Sequence, residues 1–542
     1  MNGAQLLVRN LKRAGVSQIF ALSGNQIMPI FDACLDEGIE ITHVRQEAAA
    51  VYMAEAYAQI TGGLGVALVT AGAGIANALA PLFTSTHSQT PVLLLSGDSP
   101  LGQDGLGSFQ EMDQVSMTQS LTKYSSRPSN FNELYSATEL AIATALEGAP
   151  GPVHLALADD LLRDEFDEVE LESSTESEVL PGEIDPSQLD EIEILIVASE
   201  NPLVVLGPSL NETRMPGIAR MFTDDLHIPA ISMESPRGLN DPALGDLRSV
   251  FAQADLILSI DKSIDFTTGF GSESTTNPNA KWIVVNSSDQ EFEQSKRNLG
   301  KRLCLSISAA PKTAIDQIIT SIGKSNAKDT VQRRRWCEFV QQAIEKRSYE
   351  SNALSSNETI NSMQLCLAVQ KQVEKHSDNI LISDGGEFGQ WAQAVTKGNK
   401  RIVNGVAGSI GGSTCYAIAA NKASPSSTVF ALMGDGTAGF HFMEFETAVR
   451  ERTPFVAIIG NDLRWNAEHQ IQLLDYGEKR LSNCQLSDAR YDLAAEAFGA
   501  HGEYVTKLSE IDAALERSIA SGKPACINVI IEGLPAPKGP SS

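Results

Sequence analysis

The sequence lacks long hydrophobic runs: no stretch of 18 consecutive apolar residues occurs in the 542-residue chain. A helix needs about 20 predominantly apolar residues to cross a bilayer, so we predict no membrane-spanning segment. The opening stretch, MNGAQLLVRNLKRAGV, has the pattern of an amphipathic helix and lacks the apolar core of a signal peptide. We therefore expect a cytoplasmic protein without a membrane partner.

Cysteines and basic residues are also few. The seven cysteines are odd in number and include no CxxC pair, which argues against a disulfide framework or a zinc site and favours reduced thiols. Only 41 Lys and Arg stand against 68 Asp and Glu, giving a formal net charge of −27. A chain this acidic repels phosphate backbones, so nucleic acid is excluded as an expected partner.

What the sequence does contain is an alternation of short apolar runs with helical stretches. The clearest strand candidates are 66–72, 91–98, 202–207, 254–261, 281–286, 379–386, 428–436, 455–462 and 525–533. Continuous apolar runs that end in Gly or Asp are typical of parallel strands buried on both faces. The pattern predicts an α/β fold of doubly wound parallel sheets, with ligands bound at the C-terminal strand ends.

Composition also indicates how the chain is divided. Residues 159–193 hold 15 acidic residues and one basic residue, which is typical of a solvated connector. A second polar stretch precedes the last group of strands. We predict three α/β domains at 1–165, 191–330 and 361–535, linkers at 166–190 and 331–360, and a tail at 536–542.

The strongest chemical signal lies at residues 433–462. A strand ends in Gly434-Asp435-Gly436, a helix follows, and the next strand ends in Asn461-Asp462. This arrangement puts two oxygen ligands at neighbouring strand ends, and the glycines let backbone N–H groups approach a phosphate at a helix N-terminus. Mg²⁺ prefers oxygen ligands shared among carboxylates, phosphates and water. The segment therefore predicts a magnesium–diphosphate site.

A second signal is Glu47, at the junction of a strand and an Ala-rich helix within residues 39–62. Taken alone, a carboxylate there is simply a favourable charge in the first turn of a helix. It is followed, however, by a strand that ends in the small-residue turn TAGAGIAN (70–77), which opens another helix.

Together these residues resemble the thiamine diphosphate (ThDP) enzymes of the acetolactate synthase, pyruvate decarboxylase and benzaldehyde lyase superfamily. The resemblance covers nearly the whole chain and implies a pyrimidine-binding, a middle and a diphosphate-binding domain. It implies that Mg²⁺ is held by Asp435, Asp462 and the main-chain carbonyl of Arg464. The superfamily usually has Asn in place of Asp462, so an extra negative charge faces the metal here. Glu47 would be the catalytic glutamate that hydrogen-bonds the aminopyrimidine N1′ and promotes proton loss from the thiazolium C2.

The resemblance also implies cofactor contacts. Segment 403–413 matches the loop that cups the aminopyrimidine, with the Gly408 carbonyl as acceptor and Ile410 as the bulky wedge. The turn at 384–391 matches the diphosphate-contacting turn, but has Glu387-Phe388 where many acetolactate synthases have Gln-His. The expected cofactor-binding residues are Gly74, Asn77, Gly386, Glu387, Phe388, Gly408, Ser409, Ile410, Asp435, Gly436, Thr437 and Asp462.

Substrate contacts are expected from two segments of the first domain. Asn25 and Gln26 follow a strand, where relatives approach the thiazolium. Segment 107–114 (GSFQEMDQ) resembles the FQE segment of the synthases, which implies a substrate contact for Phe109 and a catalytic role for Gln110. The alternative is a polar loop with a buried Phe.

Glu468 lies six positions after Asp462, where pyruvate decarboxylases carry an active-site glutamate. We predict a catalytic role for it, although it could equally be an exposed helical residue.

The resemblance implies a homodimeric or homotetrameric enzyme. The first hypothesis is a ThDP- and Mg²⁺-dependent lyase or carboligase, similar to acetolactate synthase, that acts on small 2-oxo acids or 2-hydroxyketones. Glu468 favours instead a simple decarboxylase or a hydroxyketone or hydroxyacyl lyase. A flavin-linked oxidase is a further alternative, but the middle region has no complete dinucleotide fingerprint, so FAD is not expected. Intact Glu47 and Asp435 argue against a non-catalytic scaffold.

Overall fold

The computed structural model describes residues 1–166, 182–324, 330–346 and 359–537. We call 1–166 the first unit, the two ranges within 182–346 the middle unit, and 359–537 the third unit. Positions 167–181 of the predicted acidic linker, 347–358 of the second linker and 538–542 of the tail lie outside the described residues.

The first unit contains a six-stranded parallel sheet. Its strands are β1 Gln18–Ala21, β2 Glu40–His43, β3 Gly65–Val69, β4 Val92–Asp98, β5 Tyr124–Ser126 and β6 Val153–Ala158. Its helices are α1 Gly3–Arg13, α2 Met28–Glu37, α3 Glu47–Thr61, α4 Ala73–His87, α5 Gln114–Thr118, α6 Phe131–Leu146 and α7 Asp159–Arg163. The strand order is β2-β1-β3-β4-β6-β5. Alternate residues of β3 and β4 enter two separate cores, one on each face of the sheet.

The middle unit contains a five-stranded parallel sheet. Its strands are β7 Pro202–Leu206, β8 Ala230–Ser232, β9 Leu256–Ile260, β10 Lys281–Asn286 and β11 Leu303–Ser308, in the order β11-β10-β9-β7-β8. Its helices are α8 Pro186–Ala198, α9 Ile218–Leu226, α10 Leu247–Gln253, α11 Asp289–Leu299, α12 Pro311–Lys324 and α13 Val331–Glu345. Helix α13 lies in the predicted second linker, yet Trp336 and Val340 pack into the core of this unit. That stretch is therefore part of the middle unit's packing.

The third unit contains a seven-stranded parallel sheet. Its strands are β12 Ile360–Asn361, β13 Asn379–Ser383, β14 Lys400–Val403, β15 Thr428–Gly434, β16 Val456–Asn461, β17 His501–Val505 and β18 Ala525–Glu532. Its helices are α14 Ser362–Val373, α15 Gly386–Val395, α16 Ser413–Ala423, α17 Asp435–Ala438, α18 Glu444–Glu451, α19 Asn466–Tyr476, α20 Tyr491–Ala497 and α21 Ile511–Ala520. The order is β12-β18-β16-β15-β13-β14, with β17 beside β18. The prediction of three doubly wound α/β units with parallel sheets is confirmed.

Helix α3 joins the first and third units. It is buried on nearly every side and packs against α16 in one hydrophobic core shared by the two sheets. Its alanines permit this close approach, and the rings of Tyr52 and Tyr416 meet edge to face, with centroids 5.5 Å apart. Across the described ranges, no helix combines the length and apolarity that a membrane crossing requires.

Candidate active site

The predicted metal ligands lie at the C-terminal ends of two adjacent strands. Asp435 follows β15 directly and is 2% exposed, while Asp462 follows β16 and is 6% exposed. Burial raises the pKa of Asp435 to about 6. Burial and the charge of Asp435 raise the pKa of Asp462 to about 7. Within the described residues, the buried Oδ2 atom of Asp435 has no hydrogen-bond partner.

Two buried carboxylates with an unpartnered oxygen form a donor set that fits a divalent cation, because buried charges are normally paired or bound to metal. No cluster of three His, Cys, Asp or Glu side chains with metal-binding geometry occurs in the described part of the chain. An ion at this pair would therefore take its remaining ligands from carbonyl, phosphate or water oxygens, which suits Mg²⁺.

The neighbours of Asp462 distinguish it from Asn461. Asn461 turns toward the sheet, where its Nδ2 donates to Asn528 Oδ1 at 3.1 Å. The Arg464 guanidinium donates from Nε to the Asp462 carbonyl at 3.0 Å. Its positive charge also opposes the rise in the pKa of Asp462 that burial and Asp435 cause. The side chain of Arg464 thus partly offsets the extra negative charge of this site.

The Gly436 and Thr437 backbone continues from Asp435 into α17, and both residues are buried. Thr437 Oγ1 donates to the Gly434 carbonyl at 3.0 Å, which fixes the turn. A Cβ at Gly436 would come within 2.7 Å of the Trp465 ring, so a side chain has no room there.

The predicted pyrimidine loop is held by Asp384, a residue that the sequence analysis missed. Asp384 follows β13 and is buried, and it accepts hydrogen bonds from the Gly411 N–H at 3.0 Å and the Ser413 N–H at 3.3 Å. A Cβ at Gly385 would lie 2.7 Å from Ile410 Cγ2, so this glycine permits the close approach of the loop. An acid directly after a buried strand was the available signal for Asp384.

Gly386 begins α15 beside this loop. A cavity of about 290 Å³ opens here, lined by residues 235–237 of the middle unit together with Gly385, Gly386, Asn404 and Gly408. Phe388 is only 5% exposed, and its ring packs against Gly460 in the core. Any cofactor contact by Phe388 would therefore be made through its main chain.

Glu387 and Glu468 lie near each other at the same edge. Burial raises the pKa of Glu387, the charge of Arg237 opposes that rise, and the charge of Glu468 adds to it. Glu468 is in the first turn of α19 and is exposed. It is therefore an exposed helical residue that also lies close to the predicted site.

Glu47 is the first residue of α3, as predicted. Its Oε2 accepts a hydrogen bond from Asn77 Nδ2 at 3.0 Å. Gly74 is close by, since a Cβ built there would lie 3.7 Å from Glu47 Oε1. The three predicted residues thus meet where α3 and α4 begin.

The two predicted glutamines also lie together in the first unit. Gln26 accepts from Thr70 Oγ1 and donates from Nε2 to Gln110 Oε1 at 3.0 Å. Phe109 is 73% exposed, so the alternative of a buried Phe is wrong. Asn25 is exposed, and its carbonyl accepts from Arg163 at 3.0 Å.

Within one chain, Glu47 and its neighbours lie far from the predicted pyrimidine loop. Thr84 Oγ1, ten residues beyond Gly74 on α4, donates to Ser409 Oγ at 2.8 Å. Ten helical residues span about 15 Å. The pyrimidine loop and Glu47 therefore lie at opposite ends of α4.

Comparisons with known proteins agree with this geometry. The family described as thiamine pyrophosphate enzyme, N-terminal TPP binding domain, matches residues 1–117, and the corresponding C-terminal TPP binding domain family matches 384–529. An acetolactate synthase large subunit of Mycobacterium tuberculosis is 27% identical, with 98% of this chain and 96% of that protein covered.

Relatives named 2-hydroxyacyl-CoA lyase are similar to nearly the same degree. The Arabidopsis thaliana protein is 26% identical, with 98% of this chain and 96% of that protein covered. A human 2-hydroxyacyl-CoA lyase 2 is also 26% identical, with coverage of 98% and 90%. The matched domains, the three parallel sheets and the residues at their strand ends lead to one conclusion: the chain is an enzyme of the superfamily that uses thiamine diphosphate, also called thiamine pyrophosphate, to make and break carbon–carbon bonds.

Proposed function

We propose that this enzyme is a ThDP- and Mg²⁺-dependent lyase or carboligase that acts on a 2-oxo acid or a 2-hydroxyketone. The observation that carries the proposal is the buried pair of Asp435 and Asp462, with an unpartnered carboxylate oxygen at the end of a parallel sheet. The acetolactate synthase relative supports the carboligase form of the proposal.

In the proposed site, Asp435 and Asp462 would hold Mg²⁺, whose charge would help to bind the diphosphate. The N–H groups at the start of α17 would be available to donate to the same anion. The loop from Gly408 to Ile410 holds the pyrimidine ring, and Asp384 fixes that loop. Bound ThDP would supply a nucleophilic carbon and an electron sink for the bond that is made or broken.

Glu47 acts in this proposal as the carboxyl that exchanges a proton with the pyrimidine ring. Asn77 donates to one of its oxygens and so fixes the direction in which the other points. Gln26 and Gln110, joined by a hydrogen bond, offer amide groups to a substrate oxygen. These roles are general acid–base catalysis and substrate orientation, which lower the activation barrier without a covalent bond between protein and substrate.

A homodimer is proposed as the smallest active unit. In one chain, Glu47 is about 15 Å along α4 from the residues near the pyrimidine loop, which is too far for both to touch one ring system. A second copy would bring its own Glu47 to this chain's loop. Sedimentation of the active species tests this, since a fully active monomer would contradict it.

A second candidate function is cleavage of a 2-hydroxyacyl thioester, which the 2-hydroxyacyl-CoA lyase relatives support. The two candidates give different products. A 2-oxo acid that loses CO₂ and couples to a second carbonyl gives a 2-hydroxyketone. Cleavage of the C1–C2 bond of a 2-hydroxyacyl thioester instead gives an aldehyde and a formyl thioester.

One experiment distinguishes them. Purified protein with ThDP and Mg²⁺ is incubated with a panel of 2-oxo acids, 2-hydroxyketones and 2-hydroxyacyl thioesters, and products are analysed with and without EDTA. Glu47→Gln serves as the inactive control and Glu40→Gln, an exposed residue of β2, as the matched active control. Absence of both ThDP binding and turnover would contradict the proposal. Absorbance near 450 nm after purification would instead support the flavin-linked oxidase.

A further inference from the structure

The segment between β2 and the catalytic helix is held by the third unit. The Val44 N–H donates to the Ala21 carbonyl at 2.9 Å and is the last bond of that segment to β1. The next N–H, of Arg45, has left the sheet and donates to Glu444 Oε1 at 3.0 Å. Arg450, on the same helix as Glu444, donates to the His43 carbonyl at 2.5 Å. Helix α18 therefore contacts the chain immediately before Glu47.

Glu444 is itself fixed at both carboxylate oxygens. It is 1% exposed, and Thr447 Oγ1 donates to its Oε2 at 2.6 Å. A buried carboxylate with both oxygens bonded has few alternative rotamers, because moving would leave a buried charge without partners. The position of the Arg45 N–H is consequently defined by the third unit.

The chain from Arg45 to Glu47 is too short to absorb a displacement. Gln46 is the N-cap of α3, and its side chain accepts from the Ala48 N–H at 2.7 Å. Glu47 is the first helical residue. A shift at Arg45 would thus turn the first turn of α3 and carry the Glu47 carboxyl with it.

We propose that Glu444 is a positioning residue that holds the Glu47 carboxyl in its reactive orientation through the Arg45 N–H. The inference rests on the proposed catalytic role of Glu47. A misplacement of about 1 Å in a reacting group lowers rates by about a hundredfold, so a single anchoring hydrogen bond has a measurable effect on proton transfer while leaving cofactor binding nearly unchanged.

The test compares Glu444→Ala, Glu444→Asp and Glu444→Gln in the full-length protein. Gln keeps an oxygen that can accept from the Arg45 N–H and a polar group for Thr447. Asp keeps the charge, but its side chain is one methylene shorter, so the carboxylate no longer reaches the Arg45 N–H. Glu446→Ala is the matched control, because Glu446 lies on the same helix and contacts residues 43–48 only through the guanidinium of Arg45, at 3.8 Å. Its other partner is Arg450, at 3.2 Å.

Two measurements report position directly. The first is hydrogen exchange of the amides at 43–48 in the cofactor-free protein, followed by mass spectrometry. The second is C2 hydrogen–deuterium exchange of bound ThDP at saturating Mg²⁺. We expect Glu444→Ala and Glu444→Asp to lose amide protection about tenfold and to slow C2 exchange by about 10- to 100-fold. ThDP affinity should change less than about threefold, and Glu444→Gln and Glu446→Ala should match the wild type within that same factor.

Wild-type protection and exchange in Glu444→Ala would overturn the inference, and so would equal losses in the Gln and Ala variants. If Glu444→Ala does not fold, the comparison of Asp with Gln decides: slower exchange in Asp supports the inference, and slower exchange in Gln overturns it. Glu47→Gln separates this outcome from the proposed function. If Glu47→Gln exchanges normally, the function itself is wrong; if it does not, only the Glu444 variants bear on the inference.

Discussion

Glu55, on α3, is a buried carboxyl between the three units, and its ionisation should lower the stability of the folded protein. It is 1% exposed and accepts hydrogen bonds from Ser88 at 2.5 Å in the first unit and from Tyr416 at 3.2 Å in the third. Burial raises its pKa from 4.5 to about 7, against the opposing effects of the Ser88 hydrogen bond and the charge of Arg214 in the middle unit. We predict that Glu55→Gln stabilises the protein at neutral and alkaline pH.

The direction and size follow from the proton linkage. Because the pKa of Glu55 is higher in the folded chain than in the unfolded chain, the folded protein binds more protons between pH 4.5 and about 7 and loses stability as the pH rises through that window. One pKa unit corresponds to about 1.4 kcal/mol. A rise from 4.5 to about 7 therefore makes ionised Glu55 cost about 3 kcal/mol of unfolding free energy above pH 7. Glutamine does not ionise and keeps an oxygen for Ser88.

Thermal unfolding of wild type and Glu55→Gln from pH 5 to pH 8.5 measures this difference. The two proteins should melt together at pH 5 and diverge as the pH rises, with the variant more stable at pH 8. Glu40→Gln, at an exposed position in the same unit, should follow the wild type throughout. If the melting temperatures of wild type and Glu55→Gln fall by the same amount between pH 5 and pH 8, the reasoning is refuted.

Three further predictions concern the active site. Asp462→Asn should weaken Mg²⁺ binding, because it removes one charge, but leave ThDP affinity at saturating Mg²⁺ equal or better, whereas Asp462→Ala should impair both. Titrating Mg²⁺ at fixed ThDP and then ThDP at saturating Mg²⁺ separates the two effects. If Asp462→Ala binds both as well as the wild type, Asp462 is not a ligand. Glu47→Gln should bind ThDP but lose most C2 proton exchange, while Glu40→Gln exchanges normally. Glu468→Gln should change turnover or product distribution more than cofactor affinity, with Asp475→Asn on the same helix as control. Unchanged rate and products would show that the exposed Glu468 has no catalytic role.

The fold was predictable where strands are buried on both faces. All nine candidate runs contain strands, and in β4 and β16 every residue is buried and apolar residues predominate. The clearest runs did not include β5 or β17, whose residues are partly exposed and largely polar. They also left out β6, although every residue of that strand is buried, so burial alone did not make a strand predictable. Periodicity identifies a strand only when burial dictates its composition.

The sequence predicted part of the candidate site from the positions of the strands, but it did not predict the residues that act through long-range hydrogen bonds. The placement of Asp435 and Asp462 at adjacent strand ends was predictable, because the carboxyl ends of parallel strands meet at one edge of the sheet; their role as metal ligands stays a prediction. Asp384 and Glu444 were not found, because their roles depend on hydrogen bonds to residues 27 and 399 positions away. Sequence spacing does not reveal the partners in such contacts, although the position of Asp384 directly after a buried strand could have marked it as a candidate.

The shared packing of α3 and α16 has a consequence for synthesis on the ribosome. Helix α3 ends at Thr61, but its partner α16 begins at Ser413, about 350 residues later. At about 5–20 residues per second, translation of that interval takes about 20–70 s. Throughout it, α3 can already pack against α4 and β3 of the first unit, but the surface that it buries against α16 in the finished protein has no such partner from its own chain. The nascent first unit is therefore expected to be a chaperone client until the third unit has emerged.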